Sequence, residues 1–186
     1  GNYAGLLIAG ATSGSTYDIG ITVQDCWFIG GQTGFRIEGQ SQGVASVGNG
    51  AKISNCLFTS GIGVSVNSSN GTNLSSVQNS VFYFAPFGTG PAISANTANR
   101  LTEDYNRISH YSTRTNVVAG TNTIVGSAAM DFGYTGITGA GMVSLFAPYS
   151  GSPQIGAGIA TNAPVTDFFG NNWTSNIDVS AFARTS

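Results

Sequence analysis

Glu103, Asp104, Arg107, His110 and Arg114 form the only concentration of titratable side chains in a sequence of 186 residues. Two carboxylates flanking a sugar can act as general acid and general base in glycoside cleavage. A neighbouring histidine can carry the proton between them. The catalytic candidates are therefore Glu103, Asp104, Arg107 and His110. The remaining acids are dispersed: Asp18, Asp25, Asp131, Asp167 and Asp178 each stand apart in sequence. They offer no compact donor set, so neither a metal nor a cofactor is expected. Cys26 and Cys56 are too few for a zinc site. Two cysteines suffice for one disulfide, and their surroundings decide between a bridge and packed thiols.

Those surroundings are a phrase written three times. Asp25-Cys-Trp-Phe28, Asn55-Cys-Leu-Phe58 and Asn79-Ser-Val-Phe82 start 30 and 24 residues apart. Each has a β-branched residue two places before it: Val23, Ile53 and Val77. A second series alternates with the first: Gly5-Leu-Leu-Ile8, Gly34-Phe-Arg-Ile37, Gly63-Val-Ser-Val66 and Gly90-Pro-Ala-Ile93. Its glycines are 29, 29 and 27 residues apart, and its apolar residues mostly alternate, as in a strand with one buried face. Each period of about 28 residues would then hold two strands.

A parallel β-helix, a single-stranded solenoid, explains why one phrase returns at the same phase of every cycle: each coil lies in register on the next and like residues stack. Helical repeats are excluded by the Gly, Ser and Asn that interrupt any 3.6-residue apolar period. Stacking assigns Asp25, Asn55 and Asn79 to an amide ladder at a bend. Cys26, Cys56 and Ser80 form a column of small groups, and Phe28, Phe58 and Phe82 an aromatic column. In-register side chains in a parallel sheet point the same way, poorly disposed for a disulfide torsion, so the thiols are expected to be free and packed. Aligning Leu101 with Val77 puts Glu103 in the ladder, paired by Arg107 or Arg114. This structural reading takes precedence over the catalytic one. Gly39–Gly50 and Asn67–Asn73 are expected to bulge as loops. Trp27 alternates with the inward positions of its strand and is expected to face outward, where it could stack on a sugar, as could Trp173, Tyr83, Tyr134 and Tyr149.

Composition narrows the class. Only 8% of residues are charged and the net charge is −2, so no basic field for nucleic acid exists. No apolar run is long enough for membrane insertion by a helix. With 41% hydrophobic residues in short runs between Gly, Asn and Ser, the chain reads as all-β. Scarce Lys and abundant Ser, Thr and Asn suit an extracellular or cell-surface protein. The sequence already reads as a strand at Gly5-Leu-Leu-Ile8, so its first edge is expected to be covered by further sequence or by a homo-oligomeric, end-to-end partner.

In the C-terminal part, Ser152-Pro-Gln-Ile-Gly-Ala-Gly158, Asp167-Phe-Phe-Gly-Asn171 and Asp178-Val-Ser-Ala-Phe182 resemble the closing pattern of the secreted right-handed parallel β-helix proteins. These belong to the pectate-lyase-like superfamily, with large bacterial surface members nearest. Glu103-Asp-Tyr-Asn106 and Arg114-Thr-Asn-Val117 are similar to segments near the end of such proteins. Asn172-Trp173 stands where that pattern has Pro-Arg, and Ala183 where it ends in Glu. The resemblance implies one right-handed parallel β-helix of six to seven coils over residues 1–186, with 150–186 as closing coil and cap. It implies no single activity, because the superfamily includes lyases, hydrolases, adhesins and tailspikes. Lyases of this kind use clustered carboxylates for calcium and a Lys or Arg base, a grouping these scattered acids do not offer. The expectation is a non-catalytic scaffold or adhesive, self-assembling surface module, with polysaccharide as its ligand if it has one. The alternative is a polysaccharide lyase or glycoside hydrolase, including a tailspike-like glycan-processing protein.

Overall fold

The computed structural model describes residues 4–9, 20–39, 50–68, 74–83, 90–98, 100–109, 114–126, 152, 154–173 and 177–179. Within them the chain winds through five coils of three short strands each. Coil one holds β1 (Ala4–Ala9), β2 (Thr22–Gln24) and β3 (Trp27–Ile29). Coil two holds β4 (Thr33–Gly39), β5 (Lys52–Ser54) and β6 (Leu57–Thr59). Coil three holds β7 (Ile62–Ser68), β8 (Ser75–Gln78) and β9 (Val81–Tyr83). β10 (Ile93–Ala95), β11 (Leu101–Asp104) and β12 (Arg107–Ser109) make coil four, and β13 (Arg114–Thr115), β14 (Val118–Ala119) and β15 (Ile124–Val125) make coil five. The first strands of the coils pair in parallel as sheet A, the second as sheet B and the third as sheet C. This is an all-β, right-handed parallel β-helix of about five coils. The period holds three strands, one more than the sequence pattern suggested, because in coils one to four the second and third strands are separated only by a bend of two residues. No described helix is long and apolar enough to cross a membrane.

That bend accounts for the repeated phrase. Asp25, Asn55 and Asn79 adopt left-handed backbone conformations, φ 50°, 51° and 51°, which Asn and Asp tolerate better than other residues with side chains. One such residue redirects the chain from sheet B to sheet C. The next residue must be small and able to donate. Ser80 Oγ gives its proton to the carbonyl of Gln78, two residues back, at 2.8 Å. The sulfurs of Cys26 and Cys56 occupy the equivalent place, 3.1 Å and 3.2 Å from the carbonyls of Gln24 and Ser54. Each carbonyl before the bend thus finds a local partner inside the coil.

The third element of the phrase is the aromatic. Phe28 pairs with Phe58 and Phe58 with Phe82 in sheet C. Their rings lie nearly parallel, with centroids 4.9 Å and 4.7 Å apart. The glycine series faces this column. A β-carbon on Gly34 would sit 2.7 Å from Phe58 Cδ1, and one on Gly63 would collide with Phe82. Glycine is needed on sheet A because phenylalanine fills the space from sheet C and a carbonyl of the next coil, that of Gly63 or Ala92, would stand 2.9 Å or 2.6 Å from an added β-carbon. In coil four Ile108 stands in register with Phe82, and Ala92, the neighbour of Ile93, takes the rung of Gly63. The smaller ring-side residue and the larger glycine-side residue change together. Gly90 does not continue the glycine series: it lies two residues earlier, against the carbonyl of Gly61.

The rest of the interior is mostly aliphatic, with Phe35 as one further aromatic side chain. Val23, Ile53 and Val77 line up on sheet B, and Phe35, Val64 and Ile93 on sheet A, all buried. The expected loop bulges fall mainly on residues 40–49 and 69–73, outside the described residues. Beyond β15 the described residues add no strand to the three sheets and run as an irregular strap along the outside, where Val179 and Ala157 pack on Trp27, Leu57 and Val81.

Candidate functional site

Glu103 and Asp104 are consecutive residues of β11, and consecutive strand residues point to opposite faces. They therefore cannot flank one substrate. Glu103 is in register with Val77, not with Asn79, and so ends the Val23–Ile53–Val77 column inside the coil. The ladder position of coil four belongs to Tyr105, also left-handed at φ 55°. The expectation that Glu103 continues the ladder is thus off by two residues. Aligning Leu101 with Val77 chose the wrong apolar partner, for Leu101 stacks on Ser75.

Glu103 is only 2% exposed, and every described contact of its carboxylate is inward. Asn106 Nδ2 donates to Oε2 at 2.9 Å, Thr123 Oγ1 donates to the same oxygen, and Arg114 makes an ion pair with Oε1. Arg114 arrives from coil five, where it is in register with Ile93 and so follows the Phe35–Val64–Ile93 column. Two apolar columns on facing sheets therefore end in one ion pair. Asn106 continues the column of Cys26, Cys56 and Ser80; it donates to the carbonyl of Val77 at 2.9 Å and accepts from the amide of Ser80 at 2.9 Å. A buried charge is tolerated only when paired and hydrogen-bonded, and both conditions are met.

Asp104 faces outward and clasps the next coil. It accepts from the amide and the side chain of Asn122 at 2.9 Å and 3.0 Å, and from the amide of Tyr105 at 2.9 Å. Gly120 gives it room, since a β-carbon there would overlap the carboxyl group. Arg107 is buried on sheet C in register with Val81, on the face that carries Leu57 and Trp27. His110 lies outside the described residues, as do Tyr134 and Tyr149. The described members of the titratable cluster are thus placed on three different faces, and a shared substrate site does not form among them.

Asp178 and Asp167 belong to the strap. Asp178 accepts from the amide of Gly156 at 2.8 Å. Asp167 closes a tight turn, its Oδ1 accepting from the amides of Phe169 and Asn171 and its Oδ2 from the side chain of Asn171, at 2.9, 2.7 and 3.1 Å. The ladder amides reach out to this segment. Asn79 exchanges two hydrogen bonds with Ile159, at 2.7 Å and 2.8 Å, and Asn55 Nδ2 donates to the carbonyl of Asp178 at 3.3 Å. Asn162, itself left-handed at φ 61°, accepts from Gln24 and Ser54 and donates to Gln78. The ladder binds the strap as much as it binds itself, an arrangement that the interval pattern alone could not reveal. The two cysteines are free; burial pushes the Cys56 thiol well up, while the hydrogen bond from Cys56 holds Cys26 down to about 7.

The outer face of sheet A offers a different surface. A cavity of about 220 Å³ is lined by Gln32, Thr33, Arg36, Ile62, Ser65 and Asn67. The charge of Arg36 is answered by Glu38, one strand position away on the same face. The cavity thus presents amides, hydroxyls and one guanidinium around a single aliphatic side chain. Among the described residues no group of three or more His, Cys, Asp or Glu side chains could hold a metal ion. The class defined by these features is the parallel β-helix. Compared with known proteins, the chain matches no family model, no curated protein and no solved structure.

Proposed function

We propose that this chain is a non-catalytic extracellular β-helix module of the pectate-lyase-like kind, a scaffold or adhesive surface that holds glycan on the outer face of sheet A. One observation carries the reading: Glu103 is sealed among Arg114, Asn106 and Thr123, where no sugar reaches it. Asp104 is occupied by Asn122 on the opposite face. What faces solvent on sheet A is a polar cavity suited to hydroxyl-rich ligands.

Incubation with acidic and neutral polysaccharides should release neither unsaturated products nor new reducing ends, while immobilised glycan should retain the protein. Arg36→Ala and Asn67→Ala should weaken retention without moving the thermal midpoint. Turnover that vanishes in Asp104→Asn or Glu103→Gln would instead establish the lyase or hydrolase. Sedimentation across a concentration series tests self-assembly, which requires species larger than one chain.

A further inference from the structure

The cavity on the outer face of sheet A is built by two neighbouring coils. Arg36 and Glu38 of β4 stand in register with Ser65 and Asn67 of β7, and Thr33 stands beside Ile62. The guanidinium of Arg36 forms an ion pair with the Glu38 carboxylate. The pair is graded in depth, because the Arg36 side chain is 17% exposed and that of Glu38 is 36% exposed. The cation thus lies in the cavity wall, which Arg36 lines, while the anion stands nearer solvent. Arg36 shares its column with Leu7, Ser65, Ser94 and Thr115, and Glu38 shares its own with Ala9 and Asn67. No other charge stands among the described residues of these two columns. The local charge therefore cancels, and the chain as a whole, at −2, adds no attraction for an anion.

We propose that this cavity seats one uncharged sugar residue of a neutral glycan, and that Glu38 is the specificity residue that turns uronates away. This specificity rests on sheet A being the glycan-holding face proposed above, and it names the class of glycan held. Hydrogen-bonding capacity points the same way as charge. Gln32 and Asn67 each bring an amide that both donates and accepts, and Ser65 brings a hydroxyl that does the same. Sugar hydroxyls match such groups in either direction, whereas a carboxylate only accepts. The amide oxygens would meet a uronate carboxylate with no proton to bind. Ile62 offers the aliphatic surface, suited to the C–H face of a pyranose ring. A uronate would also have to displace Glu38 from Arg36 or lie beside it as a like charge, and such juxtaposition opposes binding. At about 220 Å³ the cavity is smaller than the about 300–1,000 Å³ of sites for drug-sized ligands, so it takes a single sugar rather than a run.

Binding of the full chain to immobilised neutral polysaccharides (glucan, mannan and galactan) and to uronates (polygalacturonate and alginate) at about 0.15 M salt tests this. The wild-type chain should bind at least one neutral polysaccharide about tenfold or more tightly than either uronate. Glu38→Gln should raise uronate affinity about tenfold or more and leave neutral affinity within about threefold. That gain should disappear when Arg36→Gln is added, because no cation then remains in the cavity wall. Loss of a partly exposed ion pair costs little stability, so each variant should keep the wild-type thermal midpoint. Uronates bound by the wild type as tightly as neutral glycans, or a Glu38→Gln variant without the gain, would overturn the specificity and leave sheet A a glycan-holding face. Neutral binding that Asn67→Ala leaves unchanged would put the sugar elsewhere and overturn it too. Retention of neither class would sink the glycan-holding face and its specificity together.

Discussion

Coils one to three and coil four solve the same packing problem with opposite chemistry. In the first three, sheet B contributes Val23, Ile53 and Val77 to the interior, and sheet C contributes three stacked phenylalanines. In coil four the corresponding positions are Glu103 and Ile108. The aliphatic column yields to a carboxylate, and the next coil supplies Arg114 to meet it. Stacking like on like is thus a local rule that stops where one residue breaks it and its neighbours compensate. Two compensations are visible: Arg114, Asn106 and Thr123 for the buried charge, and Ala92 in place of glycine where the ring is lost.

If the aromatic column carries the first three coils, removing its middle member should do the most damage. Phe58 is fully buried between two parallel rings. Phe58→Ala should cost about 3–5 kcal/mol of unfolding free energy, through lost burial and a cavity that neighbouring coils cannot close. Denaturant titration measures it. Coil four should be less sensitive to shape and more sensitive to charge. Glu103→Gln preserves volume but leaves Arg114 without its counter-charge. We expect a loss of about 2–3 kcal/mol, because a hydrogen-bonded buried carboxylate is exchanged for a neutral acceptor. A change under about 0.5 kcal/mol would mean that Arg114 escapes to solvent and that the ion pair contributes nothing to coil five.

The contrast between these regions also explains what could be read from the sequence. The solenoid, the bend residues Asp25, Asn55 and Asn79, and the Phe28–Phe58–Phe82 column were legible because identical chemistry recurs wherever identical geometry recurs. Two strands per period were read instead of three because β2 and β3, and likewise β5 and β6, are three residues long and separated by only two. A shared phrase hides such a corner. Register failed in coil four, where Leu101 looks like a partner for Val77 but stacks on Ser75. Glu103 was legible as part of a charged cluster, and Arg114 was one of its two expected partners; its inward position was not legible, because the register was misjudged by two residues. Residues 150–186 were read as a closing coil and cap, but the strap's course was not legible: its contacts run from Asn79 back to Gln24 over sequence separations of 80 and 138 residues.

The exchange of Gly–Phe for Ala–Ile between coils three and four can be tested as a swap. Gly63→Ala alone should cost about 1–3 kcal/mol, since its methyl group collides with Phe82. Phe82→Ile alone should cost a similar amount by opening a gap beside Gly63. The double variant reproduces the Ala92–Ile108 pairing one coil earlier, so it should recover at least about 1 kcal/mol relative to the sum of the singles. Strict additivity would show that the two columns are independent and that their joint change in coil four is coincidental.

The smallest effect separates the two duties of the ladder. Asn79 holds a left-handed bend and also bonds Ile159 of the strap through both side-chain atoms. Asn79→Gly keeps the bend without strain and removes the strap contacts together with the long bond to Asn55 Oδ1 at 3.4 Å, so it should cost about 1 kcal/mol. Asn79→Ala removes the same contacts and also places a β-carbon in a conformation that disfavours it. It should cost about 1 kcal/mol more. Protection of the Ile159 amide should fall equally in the two variants, because both lack its acceptor. If alanine and glycine proved equal in stability, the bend would tolerate any residue. The recurrence of Asp25, Asn55 and Asn79 would then reflect strap binding alone.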